Sequence, residues 1–310
     1  LKWEQTSQLN VGLDFGIIKG KLMGTIDYYN KTTTDLLIQV FSAQPAPTPF
    51  RWQNLDADVV NSGIELTLNY QAIDTDDVGL NFNFNITTNK NEVQNFNGIV
   101  DTGGINGQGL TGAFAQRIAN GQPLNAYYVR DFAGFDANGF NVYNGDFQQF
   151  VGKSPIPKQY MGFTANFRYK NFDAMLFFNG QYGHYIYNNT ANAYFTSGSL
   201  GNARNVTRDV IATNESAQNA PEVSTRFLEK GDFTRLANFT IGSNFKLNSQ
   251  AFKRLYAYVG GQNVFVITDY SGLDPEVNTN KNINGVPSLG IDYTAYPRAR
   301  TFMLGINASF

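Results

Sequence analysis

The connections between strands, more than any strand itself, restrict what this chain can fold into. Nine segments alternate apolar and polar residues with a period of two: 5–17, 21–33, 59–72, 79–92, 159–170, 172–185, 233–247, 253–267 and 298–310. The pieces between them run short, long, short, long from end to end. The short ones are 18–20, 73–78, 170–171 and 248–252; the long ones are 34–58, 93–157, 186–232 and 268–297. A period of two with one apolar and one polar face marks a β-strand that meets a different solvent on each side. Short turns on one rim and long loops on the other are the layout of an antiparallel transmembrane β-barrel. A soluble sandwich has no reason to sort its loops by rim.

The closing segment shows the pattern plainly. Phe302, Leu304, Ile306, Ala308 and Phe310 alternate with Met303, Gly305, Asn307 and Ser309. Ile64, Leu66, Leu68 and Tyr70 stand against Glu65, Thr67, Asn69 and Gln71, and Leu80, Phe82, Phe84 and Ile86 against Asn81, Asn83, Asn85 and Thr87. In 253–267 both faces are apolar, with Leu255, Ala257 and Val259 opposite Tyr256 and Tyr258, so its facing stays open. Segment 34–58 is expected to be irregular, since Pro45, Pro47 and Pro49 cannot donate to a ladder. If the last strand runs down to the periplasm, every long loop faces outward. Phe15, Tyr70, Tyr169, Phe172, Phe245 and Phe310 then fall at the short-turn rim, and Trp3, Tyr28, Tyr182 and Phe265 at the long-loop rim. These are the depths that aromatic belts occupy.

Composition supports the same class. Charged residues are 15 %, against roughly 25 % in ordinary soluble domains, while 26 Phe and 17 Tyr raise the aromatics. A net charge of −2 offers no electrostatic footprint for nucleic acid. Cysteine is absent, which removes disulfides and thiolate chemistry. No apolar run nears the ~18 residues of a spanning helix, and barrel strands need none. Leu1-Lys2-Trp3-Glu4 is not a signal peptide, and the chain starts inside a patterned segment. Nine strands is an odd number, and an open sheet edge cannot face lipid. Further strands are therefore expected before Leu1, making residues 1–310 the carboxy-terminal portion of a larger barrel.

The inward face is rich in Asn, Thr and Gln. It suits water, a plug, or solutes bearing hydroxyl or amide groups, and lacks the charged rings of a selective ion path. The long loops are unusually aromatic. Trp52, Tyr127, Tyr128, Phe132, Tyr143, Tyr187 and Tyr194 are the candidate rings for contact with substrate or a partner protein; packing among the loops themselves is the commoner use of such rings. Gly107 to Gly112 matches G-x-G-x-x-G, but it neither leaves a strand nor opens a helix, so it is a flexible loop. His184 is the sole histidine, which leaves no His-based triad or transition-metal set. Asp74, Asp76 and Asp77 form a solvated turn rather than a calcium loop. Asp269, Asp274 and Glu276 are the outer-loop carboxylates that could take calcium. No catalytic carboxylate couple, metal site or cofactor site stands out, and the reading is not an enzyme.

A series of short motifs then carries a resemblance. It includes Leu1-Lys2-Trp3-Glu4, Asn10-Val11-Gly12-Leu13-Asp14-Phe15, Asp27-Tyr28-Tyr29, Asn61-Ser62-Gly63-Ile64-Glu65 and Tyr169-Lys170-Asn171-Phe172. It continues with Gly261-Gln262-Asn263-Val264-Phe265, Tyr270-Ser271-Gly272-Leu273-Asp274-Pro275-Glu276 and Pro297-Arg298-Ala299-Arg300. In this order the motifs resemble the barrel segment of SusC/RagA-like TonB-dependent outer-membrane transporters. The resemblance implies a plugged barrel of about 22 strands, of which these are the final nine. It also implies a SusD-like surface lipoprotein as lid, energy from TonB through a plug absent from this chain, and a glycan or peptide substrate. From the residues alone two other classes stay open. One is a passive porin or scaffold barrel; the other is a secreted all-β binding module or hydrolase.

Overall fold

The computed structural model describes residues 1–43, 45–246 and 254–309. Strands β1 (Gln5–Ile17) and β2 (Leu22–Thr34) form the first hairpin, and β3 (Leu37–Phe41) and β4 (Phe50–Asn54) a small one within the first long connection. Then come β5 (Asp58–Asp74), β6 (Val78–Thr88) and β7 (Lys90–Gln94). The second long connection holds β8 (Ile99–Gly104), β9 (Phe114–Ala119), β10 (Ala126–Phe135) and β11 (Asn141–Phe150). After β12 (Gln159–Tyr169) and β13 (Phe172–Tyr182) the third one carries β14 (Tyr185–Asn188), α1 (Asn189–Tyr194), α2 (Ser197–Gly201), α3 (Arg208–Ile211) and β15 (Leu228–Lys230). Strands β16 (Phe233–Lys246) and β17 (Arg254–Thr268), a short β18 (Ile291–Asp292) and β19 (Thr301–Ser309) complete the chain.

One antiparallel sheet runs β1-β2-β5-β6-β12-β13-β16-β17-β19, with β7 added beside β5. These are the nine period-two segments, each paired with its neighbour in chain order. The sheet does not close among the described residues, and β1 and β19 each keep one free edge.

The faces follow from the register. Phe15, Gly24, Leu68, Phe84, Phe163, Phe178, Leu236 and Phe265 pair directly in one row across eight strands. The row starts beside the turn after β1 and ends near the long-loop end of β17. That climb is the stagger by which a sheet tilts and curls into a barrel. The next row over, Asp14, Thr25, Thr67, Asn85, Gly162, Asn179 and Arg235, is polar. One face is thus apolar from strand to strand, and the other is wet. The apolar face is bare: Leu13 is 63 % and Leu304 79 % exposed. No second sheet or helix layer packs on it among the described residues.

The open facing of 253–267 is settled by pairing. Ala257 faces Ile306 and Val259 faces both Ile241 and Leu304, so that row belongs to the apolar skin. Tyr256 and Tyr258 lie on the inner wall, where the Tyr256 hydroxyl donates to Asp173 Oδ2 at 2.8 Å. Their side chains rest over Gly242 and Gly305, where a Cβ would come within 2.2 Å of the Tyr256 hydroxyl oxygen and 2.3 Å of the Tyr258 ring.

Two expectations need correction. Segment 79–92 is two strands, because the chain breaks at Asn89, whose N–H donates to the Lys158 carbonyl. Segment 34–58 is not irregular throughout. Leu37–Phe41 pairs with Phe50–Asn54, and the prolines sit in the hairpin tip, outside the ladder. The turn 248–252 and the closing Phe310 lie outside the described residues.

The inner wall and loop body as candidate site

The inner wall is rich in amides, with scattered charges at Asp14, Asp27, Glu65, Asp173 and Arg235. Near the short-turn rim, Asn69 donates to Asn83 Oδ1 at 2.6 Å, Asn83 to Asn81 Oδ1 at 2.8 Å, and Asn81 back to Asn69 Oδ1 at 2.9 Å. Each amide both donates and accepts, so the ladder satisfies itself and still offers groups to the lumen.

At the other rim the long connections fold together into a loop body with its own core. Ile105, Leu110, Ala115, Tyr127, Val129, Tyr187, Val223, Phe227 and Ile291 form one cluster. A second joins Leu55, Ala57, Val59, Val93, Ile118 and Val286. Loops from four places in the sequence therefore make one packed unit, stitched by long-range bonds such as Thr102 Oγ1 to the carbonyls of Val286 and Pro287, both 2.9 Å.

A buried charge cluster anchors this body to the wall. Arg235, 3 % exposed on the inner face of β16, donates from Nη2 to Asp274 Oδ1 at 2.6 Å and from Nη1 to Asn263 Oδ1. Its Nε stands 2.8 Å from Glu276 Oε2, an ionic contact off the hydrogen-bonding angle. Arg298 reaches the same carboxylate oxygen at 3.1 Å. Asn263, at φ 53, lies where β16 and β17 slip register. Its amide donates to the Arg298 carbonyl at 2.8 Å. Two arginines and two acids cancel, which is the condition for keeping charge out of water. Asp274 and Glu276, weighed above as calcium ligands, are engaged here by arginine.

Two clefts flank this anchor. One, about 510 Å³, lies between the inner wall (Asn61, Tyr160, Gln181), the rim (Asn89, His184) and the loop at Asn278. The other, also about 510 Å³, is lined by Asn278, Thr279, Tyr293 and Tyr296. His184 is buried, and desolvation pushes its pKa below the ordinary histidine value despite the opposing charge of Asp232.

The candidate rings separate by environment. Tyr127 and Tyr187 are wholly buried in the loop core. The Tyr127 hydroxyl donates to the carbonyls of Gly290 at 2.7 Å and Tyr185 at 2.9 Å, and burial raises the pKa of both phenols. Tyr128 lies under the Arg117 guanidinium at 3.8 Å, and Tyr143 under Arg130 at 3.8 Å. Burial, then the charge of Glu222, lifts Tyr143 to about 12. Phe132 packs edge-on against Phe135 and Tyr143. Tyr194 stacks on Tyr293, hydroxyl to hydroxyl at 3.0 Å. Trp52, 58 % exposed on β4, is the most open of the seven. The structure does not gather them into one site. The residue missed from sequence is the anchor's centre, Arg235. The nearby Asp274-Pro275-Glu276 and Arg298 were its available signal.

A single staggered sheet, with an apolar skin, an amide-lined wall, clipped turns below and a folded loop body above, defines the wall of a transmembrane β-barrel. Residues 1–264 match the family described as TonB dependent receptor-like, beta-barrel, and the chain belongs to that family. It is 33 % identical over its whole length to the TonB-dependent receptor SusC of Bacteroides thetaiotaomicron, covering 32 % of that protein. It is 28 % identical to the TonB-dependent receptor P3 of Formosa agariphila, covering 34 %. In fold it matches the structure of the RagAB peptide transporter, with a TM-score of 0.79 at 23 % identity, over 100 % of this chain and 36 % of that one. The chain spans about a third of the length of the curated relatives it matches.

Proposed function

We propose that these strands are the carboxy-terminal part of a plugged barrel of about 22 strands in the bacterial outer membrane. The full-length protein imports an oligomeric nutrient, a glycan or a peptide. A SusD-like surface lipoprotein acts as lid, and TonB pulls through the plug. The observation that carries this reading is the staggered sheet with a lipid-type skin and a polar, amide-rich wall, in a chain of the TonB-dependent receptor family. The two free edges support the placement, because unpaired amides cannot face lipid and require neighbouring strands. An amide-rich wall fits a polar cargo bearing hydroxyl or amide groups. Ligand or lid contact is assigned first to Trp52, with Tyr128, Phe132, Tyr143 and Tyr194 behind it. Tyr127 and Tyr187 serve through the packing of the loop core and reach a ligand only if that core opens.

The test is a deletion strain complemented with tagged full-length protein. Loss of growth on one oligomeric nutrient and copurification of a surface lipoprotein are expected. Unchanged uptake of every nutrient tried, with no lipoprotein recovered, counts against import and favours a passive barrel.

A further inference from the structure

Asparagine precedes glycine at seven places: 97–98, 106–107, 120–121, 138–139, 144–145, 179–180 and 284–285. Such a pair can lose the side-chain amide, because a glycine, having no Cβ, lets its backbone nitrogen close on the asparagine Cγ. Closure needs that nitrogen free and the asparagine free to turn. At six of the pairs the fold denies one or the other. The N–H groups of Gly121 and Gly139 donate to the carbonyls of Val93 at 2.8 Å and Asp136 at 3.0 Å. Gly180 is paired on both sides in the wall, with Met161 and Thr234. The Asn106 side chain accepts from Lys281 Nζ, and Asn144 Nδ2 donates to Asp131 Oδ2 at 3.0 Å. Asn284 is fixed at φ 53 in a hairpin turn closed by mutual backbone bonds of Ile283 and Val286. Asn97 and Gly98 differ. Both are exposed, between β7 and β8. Among the described residues, neither the Asn97 side chain nor the Gly98 N–H has a hydrogen-bond partner.

We propose that Asn97 is a deamidation site, the first of the seven to react in the folded protein. The Gly98 nitrogen gives its proton to hydroxide and attacks Asn97 Cγ. The new C–N bond closes a five-membered imide, the Cγ–Nδ2 bond breaks, and ammonia leaves with a proton from water. A water molecule then opens the imide at either carbonyl and leaves an aspartyl or an isoaspartyl residue at position 97. One water enters and one ammonia departs, so no oxidant or reductant is needed. At the other pairs the holding bonds must break before closure. Each such bond slows the reaction about two- to tenfold. The product carries one more negative charge at neutral pH. In the isoaspartyl form the main chain also gains one methylene between Phe96, which packs on the second loop cluster, and β8. Age is thereby written into the loop body as charge and chain length.

The experiment follows the full-length protein, folded in detergent, through incubation in neutral and mildly alkaline buffer. Peptides covering each of the seven pairs are then weighed, and isoaspartate is read by enzymatic methylation. The peptide holding 97–98 should convert first, about two- to tenfold ahead of the next, and faster as hydroxide rises. In denaturant the ranking should collapse, because only the fold separates the seven. Asn97→Gln, whose longer side chain would have to close a six-membered ring, should remove the early phase and leave the other six rates unchanged. An intact Asn97 while another pair converts overturns the proposal. So does the same ranking in denaturant, an early phase that survives Asn97→Gln, or no conversion at any pair.

Discussion

Arg235 is itself buried and holds two largely buried carboxylates, so its removal should damage the protein far more than that of Arg298. Arg235→Met leaves Asp274 and Glu276 beside an apolar stem, and breaking one side of a buried pair costs about 3–5 kcal/mol. Arg298, whose side chain is 56 % exposed, meets the same Glu276, but a pair that open is worth under about 1 kcal/mol. Denaturant unfolding of the full-length protein in detergent, with limited proteolysis of 268–297, should show a large loss for Arg235→Met and a small one for Arg298→Met. Equal losses would place the anchor elsewhere. His184 gives a pH dependence with a definite sign. Its pKa is lowered by burial in the folded state, so the unfolded segment binds the proton more readily. The stability it contributes is whole above the ordinary histidine pKa of about 6.5. It is lost progressively as pH falls below that value toward the lowered one. Exchange of the Gly183 and Gly231 amides, which donate to Asp232 Oδ1 and to the His184 carbonyl, should accelerate on acidification beyond the intrinsic change. In His184→Gln that extra slope should vanish. Neither residue's role was legible in the sequence. Arg235 finds its acids about forty residues on, and burial of a lone histidine leaves no mark in a period.

Within elements, the sharpest local constraint lies where β5 changes partner. Glu65 and the residues after it pair with β6, while Asp58–Ser62 pair with β7. Between them the Thr88 hydroxyl takes the place of the ladder, accepting from the Ile64 N–H at 3.0 Å. A Cβ on Gly63 would come within 1.8 Å of the Thr88 carbonyl oxygen, a backbone atom that cannot swing aside. Gly63→Val should therefore disrupt the β5–β6–β7 junction and lower the yield of folded, heat-modifiable barrel on gels, whereas Ser62→Val, one residue earlier, should not. Asn61-Ser62-Gly63-Ile64-Glu65 stood out as a motif, yet nothing in the sequence said that its glycine admits another strand's carbonyl. The wall strands were legible because each meets two solvents, and one shift in period would turn a whole face the wrong way. The short strands of the loop body meet only one another. In β10, Tyr127 and Val129 are sealed, but so is Ala126. The alternation collapses there, and 93–157 looked like a bare connection.

At the scale of the whole molecule, everything rests on the two faces of the sheet having different solvents, and charge placement tests that directly. Leu304 lies in the middle of the closing strand, paired with Val259, and continues the apolar row through Ile241, Ala174 and Phe167. Asn307, three residues on, points to the inner wall opposite Tyr256. In a lipid-facing skin a lysine near the bilayer midplane costs about 2–4 kcal/mol, while a lumen-facing one costs little. Leu304→Lys in the full-length protein should accordingly lower folding yield into vesicles and the denaturant midpoint, and Asn307→Lys should leave both nearly unchanged. A soluble sandwich would behave differently. Its inner face would be the apolar one, Leu304→Lys would bury a charge in protein, and the protein would stay folded in plain buffer without lipid or detergent. The pair of substitutions therefore has to be read with and without a bilayer. If the penalty at Leu304 depends on the lipid, growing with bilayer thickness and vanishing at the rim-proximal Phe245→Lys, the skin is a membrane surface. If it is the same in detergent-free buffer, the apolar row is an ordinary core and the barrel reading fails.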